Sequence, residues 1–68
     1  MTVETYDYRA SNGVYVRKAT RVVFPSGGSI SFTERMSKRD ALATIERYRT
    51  GFPHERRLVM AAENGANR

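Results

Sequence analysis

Cysteine and tryptophan are absent from this chain of 68 residues, and histidine occurs once, as His54. Without thiols there is no disulfide framework, no thiolate metal site and no thiol redox chemistry, a usage that fits a reducing compartment. A single imidazole leaves little for catalysis. A serine nucleophile would need that one ring as its base with an oriented carboxylate behind it, and no local spacing supplies the arrangement. Zinc asks for about four histidine, cysteine or carboxylate ligands, which one histidine and scattered acids do not provide. Asp7, Glu34, Asp40, Glu46, Glu55 and Glu63 do not cluster, so no general acid/base pair is expected. Long apolar runs are missing as well. Nothing approaches the roughly 20 residues that cross a bilayer, and Met1-Thr2-Val3-Glu4 has neither the basic nor the apolar region of a signal peptide. These absences predict a non-enzymatic, cytoplasmic protein with no cofactor, no metal and no membrane partner.

What the chain has in excess is positive charge, with Lys+Arg 12 against Asp+Glu 7 and a formal net charge of +5. Ten of the twelve cations are arginines and two, Lys18 and Lys38, are lysines. Arginine's planar fork binds phosphate and carboxylate bidentately and stacks on aromatic rings, which favours nucleic-acid or acidic-protein partners, although GC-rich coding also inflates arginine. The residues up to Met36 carry +2 and those after it +3, so the charge belongs to the folded body and not to a tail. A domain of this size buries only about 60% of the surface that its unfolded chain exposes. Its core is therefore marginal, and self-association or a tight complex would help it.

The hydrophobic pattern changes period once. Val14-Tyr15-Val16 and Val22-Val23-Phe24 are rich in β-branched and aromatic types, and Ser29-Ile30-Ser31-Phe32-Thr33 alternates at a period of two. Ser11-Asn12-Gly13 and Pro25-Ser26-Gly27-Gly28 supply the turns. The prediction is a three-stranded antiparallel meander over about Val3 to Arg9, Val14 to Phe24 and Ser29 to Arg35, with a bulge near Lys18-Ala19 in the long middle strand. Ser37-Lys38-Arg39-Asp40 then reads as a helix cap, with Met36 where a hydrophobic staple would stand. The helix runs to about Arg49, buries a stripe of Ala41, Leu42, Ile45 and Tyr48, and stops at Gly51 in a left-handed C′ position. Pro53 opens a shorter second helix ending around Asn64-Gly65, and Gly65 to Arg68 should fray. The class is α+β, a single β-β-β-α-(α) domain over residues 1–64.

Alternation gives the sheet two faces. Even positions Val14, Val16, Thr20, Val22, Phe24, Ile30 and Phe32 are the expected core, with Lys18 as the misfit. Odd positions place Tyr15, Arg17, Arg21 and Arg35 among small hydroxyl residues on the other face, where guanidinium groups contact phosphate and aromatic planes stack on bases. Lys38 and Arg39 at the first turn of a helix are a second signal. The helix dipole disfavours cations there by up to about 1 kcal/mol each, and phosphate binding would explain them. Pro25-Ser26-Gly27-Gly28-Ser29 lacks the GxxxxGK[ST] and GxGxxG patterns and joins two strands, so it reads as a hairpin turn and not a phosphate loop.

Three strands followed by a helix, with arginines on the outer sheet face, resembles the sheet-reading DNA-binding domains of phage-type integrases and related plant factors, a likeness of layout over about Val3 to Thr50. It implies a sheet inserted into the major groove. Ser37-Lys38-Arg39-Asp40-Ala41-Leu42-Ala43 is similar to the last helix of double-stranded RNA-binding domains, whose basic start grips phosphate. In scale and layout the chain also resembles small phage- or mobile-element-encoded inhibitors of host machinery, anti-CRISPR proteins among them, which would act in the host cytoplasm. The expected function is binding of nucleic acid or a nucleoprotein complex through Tyr15, Arg17, Arg21, Arg35, Lys38 and Arg39. The alternative is an inhibitor or adaptor docking the same cations on an acidic host protein. A homodimer joined through Val23, Leu58 and Met60 is a third reading.

Overall fold

Thr2, Val3, Thr5, Tyr6 and Tyr8 are strong strand formers with no glycine or proline among them, and they build the first strand, β1, over Thr2–Arg9. Ala10 then accepts a hydrogen bond from the Gly13 amide at 2.9 Å and donates to the Val14 carbonyl at 2.9 Å. Gly13 supports this turn with a φ of +86°, a left-handed value that costs a Cβ-bearing residue about 1–2 kcal/mol. The chain returns as β2, Tyr15–Val23, reverses at Pro25-Ser26-Gly27-Gly28, and adds a short β3, Ser29–Ser31. The result is a three-stranded antiparallel sheet in the order β1-β2-β3, as expected for an α+β domain, in a computed structural model that describes residues 1–65. Of the tail expected to fray, residues 66–68 lie outside the described residues.

Three strand-level expectations are corrected. The bulge lies at Val16, not at Lys18-Ala19: Tyr8 pairs with Arg17 and Arg9 with Tyr15, so one step on β1 spans two on β2. Val14 and Val16 are not core but 58% and 43% exposed, because neither β3 nor a helix reaches this end of the sheet. The third strand stops at Ser31 instead of running to Arg35. Beyond it the chain stays tied to Thr20, whose carbonyl accepts from the Phe32 amide at 2.8 Å and whose amide donates to the Glu34 carbonyl at 3.1 Å.

Helix α1 covers Lys38–Arg49, and its N-cap Ser37 accepts the Asp40 amide at 3.1 Å, the cap read from the sequence. Its buried face is Ala41, Thr44 and Ile45, so Thr44 takes the place expected of Leu42, which is only half-buried. Burial costs Thr44 little because its hydroxyl donates to the Asp40 carbonyl at 2.8 Å. Gly51 is not in the left-handed region that would mark a C′ glycine. Its missing side chain makes room instead: a Cβ there would collide with the Glu55 Oε1 that accepts the Phe52 amide and starts α2, Pro53–Glu63. Val22, Phe24 and Ile30 on one sheet face close with Ala41, Ile45, Val59 and Ala62 from the helices into the core.

Candidate nucleic-acid interface

The opposite face of the sheet is organised by aromatic and guanidinium side chains. Register places Tyr8 opposite Arg17, Tyr6 opposite Ala19 and Glu4 opposite Arg21. The Tyr6 hydroxyl donates to the Phe32 carbonyl at 2.6 Å, beyond the far edge of β2, so its ring crosses Ala19 and leaves that alanine fully buried. Only a small residue fits beneath it. The Arg21 guanidinium lies over the Tyr6 ring, 4.4 Å from its centre, and Arg17 lies over Tyr8 at 5.7 Å. Arg21 also donates to the Ser31 hydroxyl at 3.1 Å and pairs with Glu4 at 3.5 Å. Arg17 donates to the Thr33 carbonyl at 3.0 Å and has no acidic partner among the described residues.

Arg17 also belongs to a second feature. Where β3 ends, the uncovered edge of β2 and the segment leading to α1 enclose an open groove of about 590 Å³, lined by Tyr15, Val16, Arg17, Lys18, Glu34 and Arg35. The chain leaving this groove is held by Thr20, whose hydroxyl accepts the Met36 amide at 2.7 Å, and it enters α1 at the exposed Lys38 and Arg39. Arg35, Lys38 and Arg39 have no ion pair among the described residues. Lys18 is neutralised by Asp7, whose carboxyl lies below the usual carboxylate range because of the Lys18 hydrogen bond and charge, with Arg9 adding less.

The six residues singled out in the sequence therefore divide. Arg17 and Arg21 share the outer face, as expected. Tyr15 does not: the bulge sets it opposite Arg9 and turns it to the face of Asp7 and Lys18, where it meets Arg17 only across the groove. Arg35 lies off the strand and reaches Arg17 through that groove. Lys38 and Arg39 start α1, as read. Missed were Tyr6 and Tyr8, the rings under the guanidiniums. Their period-two spacing in β1 was a usable signal, since even positions of β1 face odd positions of β2 once the turn is set. His54 stacks on Phe52 at 6.0 Å between ring centres, and the described residues hold no cluster of three metal-ligating side chains. No helix of the described residues is long and apolar enough to cross a membrane. Comparison with protein-family models, curated proteins and solved structures finds no match for this chain.

Proposed function

We propose that the chain binds nucleic acid, alone or within a nucleoprotein complex, through the outer sheet face and the groove beside it. The observation that carries this reading is the pair of guanidiniums stacked on tyrosines on the face opposite the helices, with Arg17 shared between that face and the groove. Stacking and hydrogen bonds fix both arginines before any ligand arrives, which reduces the side-chain entropy lost on binding. Tyr6 and Tyr8 lie beneath the guanidiniums and hold their planes over the sheet, where a base or phosphate can meet them, and Arg17, having no acidic partner among the described residues, keeps charge available for a phosphate. Arg35, Lys38 and Arg39 extend the same charge along the chain toward the helix start, where free amides favour an anion.

If Arg17, Arg35, Lys38 and Arg39 each neutralise one phosphate, the logarithm of affinity for duplex should fall against the logarithm of salt with a slope of about −3.6. Fluorescence anisotropy with labelled duplex and single strands, over a salt series, measures it. Arg17→Glu combined with Arg35→Glu should abolish binding at moderate salt while circular dichroism stays unchanged. A flat salt response, or full binding by the double variant, rejects the proposal. A lysate partner that survives nuclease treatment would instead select docking on an acidic protein.

A further inference from the structure

The sheet has one long edge, β1, with no strand paired to it among the described residues. In β2 the amide and carbonyl of Thr20 serve the β3 side, so by alternation Val22, Thr20 and Lys18 leave β1 unbonded at their positions. Their partners Val3, Thr5 and Asp7 accordingly aim their own amides and carbonyls at the free side. Folded proteins blunt such edges with lysine, proline, bulges or very short strands. Every other edge here is blunted. The exposed stretch of β2 carries Lys18 and the Val16 bulge, and β3 is three residues long. From Thr2 to Tyr8, β1 has none of these devices and no irregularity, and its charges are already matched, Glu4 by Arg21 and Asp7 by Lys18 and Arg9.

We infer that this edge pairs with β1 of a second copy, antiparallel and centred on Thr5. This register aligns the whole strand with itself: Thr2 meets the second copy's Tyr8, Val3 meets Asp7, Glu4 meets Tyr6, and Thr5 meets Thr5. No like charges fall opposite each other. Shifting the centre to Asp7, or to Glu4, would set carboxylate against carboxylate and is disfavoured. The outward-facing Val3, Thr5 and Asp7 become the hydrogen-bonded pairs, giving about six new backbone bonds. Directly opposed residues share a face, so the two sheets join into one of six strands with the Tyr6, Tyr8, Arg17 and Arg21 sets of both copies on one side. The inference stands apart from nucleic-acid binding, because it rests on the open edge, register and charges of β1 and not on any contact with a ligand.

Sedimentation equilibrium of the full chain without nucleic acid tests it, with a dimer of twice the 7.7 kDa chain mass expected. Thr5→Lys, a change at an exposed side chain, should give monomers with an unchanged circular dichroism spectrum. Thr5→Pro should do the same, since by the same alternation the Thr5 amide points away from β2 and serves no ladder bond within the sheet. The chain has no cysteine, so Thr5→Cys reads the register directly. Opposed Cα atoms about 5.5 Å apart lie within disulfide range, and oxidation should crosslink this variant but not Glu4→Cys. A wild-type monomer at every concentration, a dimer that survives Thr5→Lys, or crosslinking through Glu4→Cys would overturn the inference. So would a dimer broken by Met60→Lys and not by Thr5→Lys.

Discussion

The two halves of β2 are one strand with two fates. Tyr15 to Lys18 are exposed without exception, while Ala19, Thr20 and Val22 are buried, although both halves pair with β1 and both carry valines. Val16 is 43% exposed and Val22 not at all. The difference lies in what reaches them. Strand β3 and both helices serve only the second half; the first half meets the segment after β3 only across the groove and through the Arg17 bond to the Thr33 carbonyl, and otherwise extends as a two-stranded ribbon. Alternation along a strand sorts side chains into faces, but whether a face becomes interior depends on its neighbours. The proposed binding site follows the same division: the covered half holds the core, and the uncovered half contributes Arg17 and an open edge to the groove.

The sharpest test of this division is the same substitution in each half. Val22→Ala leaves a cavity among Phe24, Ile30 and Ile45 and should cost about 2–4 kcal/mol. Val16→Ala removes an exposed side chain and should stay within about 0.5 kcal/mol. Urea denaturation measures both, and equal losses would mean that the ribbon end is packed after all. A smaller effect is expected where the halves meet. The Thr20 hydroxyl satisfies the Met36 amide, so Thr20→Val keeps the shape but strands a donor, at a cost of about 1–3 kcal/mol. The ties that hold the chain between β3 and α1 would then loosen, with faster hydrogen exchange at the Phe32 and Met36 amides. Unchanged exchange there would remove Thr20 as the anchor of that segment.

Much of this architecture was legible because its signals are local. Ser37 and Asp40 define the α1 cap within one turn, Gly13 and Gly27 mark the turns with positive φ, and Pro53 starts α2. The candidate site was less legible because it depends on register. One additional residue at Val16 turns Tyr15 to the other face, and its position follows from how the turn at Ala10 to Val14 closes, which no periodicity reports. Tyr6 and Tyr8 were missed for the same reason: their place beneath Arg21 and Arg17 exists only once the two strands are aligned. Leu42 and Thr44 exchanged roles because a hydroxyl that bonds its own helix can be buried as readily as a short apolar side chain.

The smallest effect should come from the ion pair that takes the place of a core on the ribbon's helix-side face. Asp7 is held below the ordinary carboxylate range, first by its hydrogen bond to Lys18, and Lys18 is raised in turn by Asp7. A depressed carboxyl stabilises the fold above its unfolded value and loses that contribution as pH falls through the lowered one; a raised ammonium contributes below its unfolded value and loses it as pH rises through the raised one. The pair therefore acts across the neutral range and fades at both extremes. Because both groups are exposed, solvent and salt screen most of the gain. Lys18→Met should move the Asp7 titration, followed by carboxyl carbon NMR, up toward the ordinary range, with Arg9 holding it partly down. The thermal midpoint should barely change. A midpoint falling as far as in Val22→Ala would show that the ribbon is fastened by this pair and is no longer the loosely held half of β2.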